Sequence, residues 1–410
     1  MVLSTLTTLL SAAATVTALV CLSWHASKLG LMERPDGHRT HDLPTPVIGG
    51  IGMAVGLLVA WLASGHIAPG TPVALGALGL IAIGIQDDRN GMSARRKLLA
   101  QLSVVTVAAA FDADLVFSLG QLVPGVEIRL HALALPFTVF AILGLINAVN
   151  MLDGLDGLAG KVVLVAFGWF AACMWMVGGW TRLTLDVAAM GAIGAFLAFN
   201  ARFPGRPRAL LFMGDTGSML LGYLLAMAAI DATQRPNGIP PVTALWICAL
   251  PILDTLVVTA QRLLDGRAPM ASGRDHLHHL LRAHDLPVGK VAMIEAAIAL
   301  LAGLVGVAGW RLGVPEWLMF ASFVAVGLGY HQLFRVAWRR VRAREAATAA
   351  RAPQAVEPDT EPLTVPMAME PLMEPLTALR LAPPQPAPLA SAGEAGAAKR
   401  VEPAHAESSV

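Results

Sequence analysis

Asn147, Asn150, Asp153 and Asp156 recur at steps of three in the segment Asn147-Ala-Val-Asn150-Met-Leu-Asp153-Gly-Leu-Asp156-Gly-Leu-Ala-Gly-Lys161, directly after an apolar stretch long enough to cross a bilayer. Carboxylates in such a setting are costly, about 2.5–3.5 kcal/mol each at mid-bilayer, so they need partners, water or a chemical role. Steps of three put side chains on one face if the helix continues through them, whereas Gly154 and Gly157 favour a break that lets backbone approach a ligand. Three further acidic sites stand in similar surroundings: Asp87-Asp88, Asp215 in Gly214-Asp-Thr-Gly-Ser218, and Asp254 inside an apolar run. Adjacent carboxylates raise the pKa of one of the pair unless a cation screens them. Oxygen ligands suit Mg2+, which takes one or two carboxylates together with substrate phosphates. Acids gathered at helix ends thus point to metal-assisted chemistry on an anionic substrate at a membrane surface.

Each motif also has a plainer reading. Asp87 and Asp88 could be a solvated helix-end pair compensated by Arg89 and Arg95, and Asp215 could cap a helix beside Thr216 and Ser218. Gly214 to Ser218 opens an apolar span, so free N–H groups and the positive helix end would face the site. The longest polar loop contains Arg274-Asp-His276-Leu-His278-His279. No cysteine or carboxylate there completes a tetrahedral zinc set, so these histidines read as a clamp donating hydrogen bonds to a diphosphate, or as an incidental His-rich loop. A fifth polar segment runs Arg34-Pro-Asp-Gly-His38-Arg39-Thr-His41-Asp-Leu-Pro44-Thr-Pro46 and leads to Gly49-Gly50. The plainer readings leave one fact unexplained: all five segments fall on the same side of the membrane in the topology that charge predicts.

That topology follows from composition. The chain is 56% hydrophobic, only 14% charged and has a mean hydropathy of +0.63, well outside ordinary globular usage. Apolar runs of about 17–22 residues, the length needed to span hydrocarbon, predict an all-α, polytopic membrane protein of about eleven spans, starting near residues 3, 47, 71, 97, 132, 159, 183, 210, 240, 290 and 315. The first run lacks a basic leading segment and is read as an anchor rather than a signal peptide. With the N-terminus outside and the C-terminus inside, inner segments hold 21 Lys and Arg and outer loops 4 of the 29 in the chain, as the positive-inside bias requires. Cys21, Cys173 and Cys248 lie within spans and form no disulfide or zinc pattern. Residues 1–344 are read as the membrane domain. From 345 to 410 the composition turns to Ala, Pro and Glu, which cannot bury enough apolar surface to order itself and predicts a disordered cytoplasmic tail.

The order of these motifs resembles the polyprenyl-phosphate N-acetylhexosamine-1-phosphate transferases, integral membrane enzymes that start lipid-linked glycan assembly. The matching pieces are Pro44-Thr-Pro46 with Gly49-Gly50, Asp87-Asp88, the Asn147 to Gly157 segment, Phe212-Met-Gly-Asp-Thr-Gly-Ser218 and His276-Leu-His-His279. The last, with Pro251-Ile-Leu-Asp254, is similar to the bacterial UDP-GlcNAc:undecaprenyl-phosphate branch rather than the muramoyl-pentapeptide branch. Two positions depart from the family pattern: His38 stands where an Arg is usual, and Gly273 where an Asp is frequent. The resemblance implies Mg2+ (Mn2+ as an alternative) held by Asp215 and Asp88, catalytic roles for Asp87, Asp88, Asp153 and Asp156, and substrate binding by Asn147, Asn150, His41, Arg274, His276, His278 and His279. The implied partners are a UDP-N-acetylhexosamine, undecaprenyl phosphate and the lipid bilayer, in the bacterial inner membrane with the site facing the cytoplasm. A homodimer is a further candidate assembly, and no nucleic-acid partner is expected. The competing class is a transporter of phosphorylated sugars or lipids, which would place broken helices in paired halves and charges near mid-bilayer.

Overall fold

The computed structural model describes residues 2–33, 44–65, 72–111, 115–268, 273 and 275–351. The expected all-α membrane architecture is what the chain adopts. In chain order the helices are α1 (Val2–His25), α2 (Gly49–Ser64), α3 (Pro72–Asn90), α4 (Ala94–Phe111), α5 (Ala134–Leu152), α6 (Leu158–Val177), α7 (Trp180–Asn200), α8 (Gly214–Gln234), α9 (Pro241–Ile247), α10 (Ala249–Leu264), α11 (Leu277–Arg282), α12 (Val288–Arg311) and α13 (Glu316–Arg351). A two-stranded antiparallel ribbon, β1 (Met32–Glu33) with β2 (Thr45–Pro46), closes the end of α1 onto the start of α2.

Each of the eleven apolar runs falls on one helix or on the α9–α10 pair. Seven helices among the described residues are long and apolar enough to cross a membrane, or eight if that pair is a single span; α2 is a shorter apolar helix. The runs over α3 and α4 end in the charged turns Asp87-Asp88-Arg89 and Arg95-Arg96-Lys97, which face one another across the turn joining them. The α9–α10 pair bends by 77° at Cys248. Pro251 explains the break: it has no N–H to give the carbonyl of residue 247, and its ring would clash with that carbonyl.

The centre of the bundle is α8, buried along nearly its whole length against α2, α3, α5 and α6. Glycines allow that crowding. A Cβ on Gly50 of α2 would stand 2.2 Å from the Gly217 nitrogen, and one on Gly84 of α3 would stand 2.3 Å from Thr216 Cα. Gly222 of α8 itself leaves 2.6 Å between its missing Cβ and Ile146 Cα on α5. Three neighbouring helices therefore meet the first half of α8 backbone to backbone, which fixes the residues of its first turn relative to the ends of α3 and α5. By contrast α13 is mostly exposed and peripheral. It runs to Arg351, past the boundary expected at 344; residues 352–410, where the tail was predicted, lie outside the described residues.

Candidate active site

The expected acids assemble where the C-terminal ends of α3 and α5 meet the N-terminal end of α8. Asp88, in the last turn of α3, accepts hydrogen bonds from the Asp215 N–H at Oδ1 (2.7 Å), and at Oδ2 from the Thr216 N–H (3.1 Å) and the Thr216 hydroxyl (2.6 Å). A helix start leaves such N–H groups without intrahelical partners, and a carboxylate there also meets the positive helix end. Asp88 thus caps α8 from a different helix. Gly214, at φ +72, makes room: its missing Cβ would lie 2.7 and 2.8 Å from the two Asp88 oxygens. The segment before α8 is held by the Pro44 to Gly50 run. The Phe212 N–H donates to the Pro46 carbonyl (2.8 Å), and the Gly49 and Gly50 N–H groups donate to the carbonyls of Phe212 and Met213 (2.9 Å each).

Asp87 has a different set of partners. Its Oδ1 accepts from the Met92 N–H (2.6 Å), tying down the α3–α4 turn, and its Oδ2 lies 3.1 Å from Lys97 Nζ. The Lys97 ammonium also pairs with Asp215 Oδ1, which accepts from Asn150 Nδ2 as well (2.5 Å). Asn150 Nδ2 further donates to the Ser218 hydroxyl oxygen (2.8 Å). Asn147, one turn earlier on α5, donates to the Leu143 carbonyl (2.8 Å) and Gln101 Oε1 (3.3 Å), so it braces α5 against α4. Asp87 and Asp215 therefore converge on a single cationic position, filled by an ammonium, while Asp88, expected to share a metal with Asp215, spends both oxygens on α8.

Between α5 and α6 the helix breaks after Leu152, so Asn147 and Asn150 are helical while Asp153 and Asp156 sit in the connecting turn. The Asp153 carboxylate has no hydrogen-bond or ionic partner among the described residues and lines the cavity. Burial, then the nearby charges of Asp215, Asp88 and Asp156, pushes its carboxyl well above the usual carboxylate range. Asp156 is buried and committed: its Oδ2 accepts from Arg202 Nε (2.7 Å) and from the Ala209 N–H (3.2 Å). Gly157, at φ +75, donates its N–H to Asn200 Oδ1 (2.7 Å), and Asn200 Nδ2 donates to the Leu211 carbonyl (2.9 Å). One asparagine thereby ties the start of α6 to the strand-like approach to α8.

The histidines divide. His276 is buried with Nδ1 2.8 Å from Asp254 Oδ2, and Asp254 Oδ1 accepts from the Leu277 N–H (3.0 Å) and the Tyr330 hydroxyl (2.7 Å). Asp254, read from sequence as an intramembrane functional acid, thus fastens the His loop to α10 and α13. His278 is 1% exposed, its ring stacked over His276 at 5.7 Å, and neither ring nitrogen has a partner among the described residues. Burial, then the neighbouring His279, drives its pKa down to about 3, so it is neutral at physiological pH. Its Nε2 lies 2.5 Å from where a Gly154 Cβ would stand, which places it beneath the Asp153–Gly154 turn rather than in the cavity. That corrects the expectation of a three-histidine phosphate clamp: of the three only His279, with Arg282, lines the cavity. His41 and Arg274 lie outside the described residues.

These side chains line a cavity of about 1360 Å³ in which Asp87, Asp88, Asn150, Asp153, Asp156 and Asp215 converge. Sequence reasoning missed Lys97, Arg202 and Asn200. Lys97 left a trace: a cation in the first turn of a helix opposes the helix dipole unless a carboxylate answers it.

Comparison with known proteins is a separate line of evidence on the family. Residues 71–233, from α3 to the end of α8, match the family model described as Glycosyl transferase family 4. The chain is 34% identical over 321 residues to the undecaprenyl-phosphate alpha-N-acetylglucosaminyl 1-phosphate transferase of Yersinia pestis, covering 77% of this chain and 87% of that one. It is 33% identical over 320 residues to the enzyme of the same name from Escherichia coli O157:H7, with the same coverage. To that of Haemophilus influenzae it is 32% identical over 321 residues, 77% of this chain and 90% of the other. Acids gathered at helix ends around one cavity, motifs in the family's order and similarity over 77% of the chain have one common source: the chain belongs to the polyprenyl-phosphate N-acetylhexosamine-1-phosphate transferases, enzymes that transfer a sugar phosphate to a membrane lipid phosphate.

Proposed function

We propose that the chain transfers N-acetylglucosamine 1-phosphate from UDP-GlcNAc to undecaprenyl phosphate, releasing UMP and starting a lipid-linked cell-envelope glycan. The observation that carries this reading is the convergence of Asp87 and Asp215 on one cationic position in a cavity of about 1360 Å³, ample beside the roughly 300–1,000 Å³ of typical ligand sites. A lipid phosphate monoester has a second pKa near 6, so at neutral pH much of it is dianionic and already a nucleophile. The obstacle is repulsion from the anionic diphosphate.

The donor set fits Mg2+. Asp87 and Asp215 offer hard carboxylate oxygens, the ligand type Mg2+ takes in ones and twos beside water and substrate phosphates. When bound there, Mg2+ supplies charge neutralisation of the diphosphate. The chain's own residues do the rest. Lys97, which fills that position in this structure, would yield it to the ion and leave its ammonium beside it as a second positive charge, and Asn150 holds Asp215 in place. Arg282 and His279 supply donors on the cavity wall, of the kind worth about 2.7–4 kcal/mol when aimed at developing charge. Asp87 accepts the proton of any monoanionic lipid phosphate, and Asp153 and Asp156 stand on the nucleotide side. A lipid phosphate oxygen forms the new bond to the β-phosphorus while the bond to the bridging oxygen breaks, and that oxygen leaves on UMP. In this reading the molecule crosses the inner membrane with eleven spans, N-terminus out, and the cavity opens to the cytoplasm, which supplies UDP-sugars.

The test is UMP release by purified protein with Mg2+ and undecaprenyl phosphate, comparing UDP-GlcNAc, UDP-GalNAc and UDP-muramoyl-pentapeptide. Highest kcat/KM with UDP-GlcNAc is expected. Turnover confined to the muramoyl-pentapeptide, or equal turnover without a divalent cation, would overturn the substrate or the metal assignment respectively.

A further inference from the structure

The α13 helix is longer than a membrane requires. Thirty-six residues at 1.5 Å each make a rod of roughly 54 Å, against about 30 Å of hydrocarbon. Counted from Glu316, the hydrocarbon ends about twenty residues on, near 335. Arg335, Arg339 and Arg342 follow at steps of four and three, on one face, and span about 10 Å of rise, comparable to the depth of a head-group layer. They border a second cavity of about 140 Å³ with Gln261, Arg267 and Trp338. Two carboxylates also line it: Asp275 is ion-paired within the protein, whereas Asp265 is hydrogen-bonded by a neutral amide and keeps its charge. Asp265 accepts from Gln261 Nε2 (2.8 Å), and Asp275 pairs with Arg267 (2.8 Å) and Arg262 (3.4 Å). Arg335, Arg339 and Arg342 have no hydrogen-bond or ionic partner among the described residues. The lining, four arginines against two carboxylates, is therefore net positive, with three guanidiniums free of any bonded partner among the described residues around a small cavity at the level where a bilayer would present phosphate.

We propose that this pocket binds the phosphate head group of an anionic phospholipid from the leaflet around the C-terminal half of α13. Guanidinium forks fit phosphate oxygens in pairs, and the apolar turns of α13 just before Arg335 would lie beside the acyl chains. The pocket adjoins the catalytic cavity, because Trp338 and Asp275 line both, and Asp275 immediately precedes the His loop. A bound head group would thus sit one residue layer from the active site and brace the α10–α13 side of it. The proposal concerns binding and does not depend on which sugar nucleotide the enzyme uses.

Native mass spectrometry of the detergent-purified full chain, titrated with phosphatidylglycerol or phosphatidylcholine, reads the retained lipid directly. The parent should keep phosphatidylglycerol in preference to phosphatidylcholine. The R335Q/R339Q/R342Q variant should lose it by on the order of five-fold per arginine, about a hundred-fold in all. R340Q, at the same depth but turned off this face, should stay within about two-fold of the parent. Glycerol 1-phosphate in excess should not displace the lipid. Equal retention by the triple variant, an equal loss in R340Q, indifference between the two lipids, or displacement by free glycerol phosphate would each overturn the assignment, the last by making the pocket a site for soluble phosphate.

Discussion

Two adjacent aspartates do different work in this site. Asp88 accepts three hydrogen bonds at the start of α8, while Asp87 shares Lys97 with Asp215. Hydrogen bonds to a charged group are worth about 1.5–3 kcal/mol each against 0.5–1.5 for neutral ones. Asp88→Asn should therefore lower stability by about 1–3 kcal/mol as well as activity, seen as an earlier thermal midpoint in detergent. Asp215→Asn should abolish turnover while leaving that midpoint close to the parent's; near-normal turnover with unchanged Mg2+ dependence would reduce Asp215 to a helix cap. His278 makes a pH prediction. Its pKa falls from an ordinary 6.5 in the unfolded chain to about 3 when folded, so between those values the unfolded state binds the extra proton. Stability present at neutral pH is then lost as pH falls below 6.5, by about 2 kcal/mol between pH 7 and pH 5. His278→Phe, which cannot titrate, should flatten that acid-side slope; identical slopes for parent and variant would show that His278 is not held neutral. The acids and asparagines were legible in the sequence because charge beside a membrane span is rare and costly. Lys97 and Asn200 were not, since a basic residue near a span end satisfies the positive-inside bias without any partner, and a lone Asn at a helix end satisfies ordinary capping.

Among the elements, α8 governs the site because its first turn presents Asp215 and receives Asp88. Its position depends on glycines in α2 and α3. Gly50→Ala and Gly84→Ala would each drive a methyl into α8 backbone, at about 1–3 kcal/mol of overpacking, and should cost activity along with stability. Gly144→Ala, with nothing within 4 Å of the added methyl, is the matched control and should be tolerated. Loss of function in all three would mean general intolerance of helix glycines rather than a dependence on close approach. The apolar runs revealed the helices, and Gly154 with Gly157 signalled the break after Leu152. The 77° bend between α9 and α10 was not foreseen, although Pro251 marks it, because hydropathy averages across a break. For the same reason Asp254 looked stranded mid-membrane. The bend and the returning α13 instead give it a histidine, a tyrosine and a helix start to hold.

For the molecule as a whole, orientation is the property most open to direct test. With Cys21, Cys173 and Cys248 replaced by alanine, an impermeant thiol reagent applied to intact cells should label Val123→Cys, in the exposed loop before α5, and spare Ser93→Cys, between α3 and α4 beside Asp87. The reverse pattern would turn the cavity outward, away from cytoplasmic nucleotide sugars, and remove the proposed donor. Most of the exposed apolar side chains on α4, α12 and α13 need no partner beyond lipid tails.

The sequence by itself determined the solvent, the helical class, the charge asymmetry and the identity of the acids, because each is written in local composition: hydrocarbon demands long apolar helices with internally satisfied backbone, and charge is tolerated there only at a cost. Tertiary structure alone decided which oxygen does what. Asp87 and Asp88 are neighbours with the same side chain, yet one faces Lys97 and the other the N-terminus of α8, a difference set by the close packing of α2, α3, α5 and α8. Likewise, three histidines within four positions looked equivalent until α11 buried His276 and His278 and left His279 at the cavity wall. Such roles depend on the direction in which a side chain leaves its helix and on what another helix places opposite, and neither can be read from one-dimensional spacing.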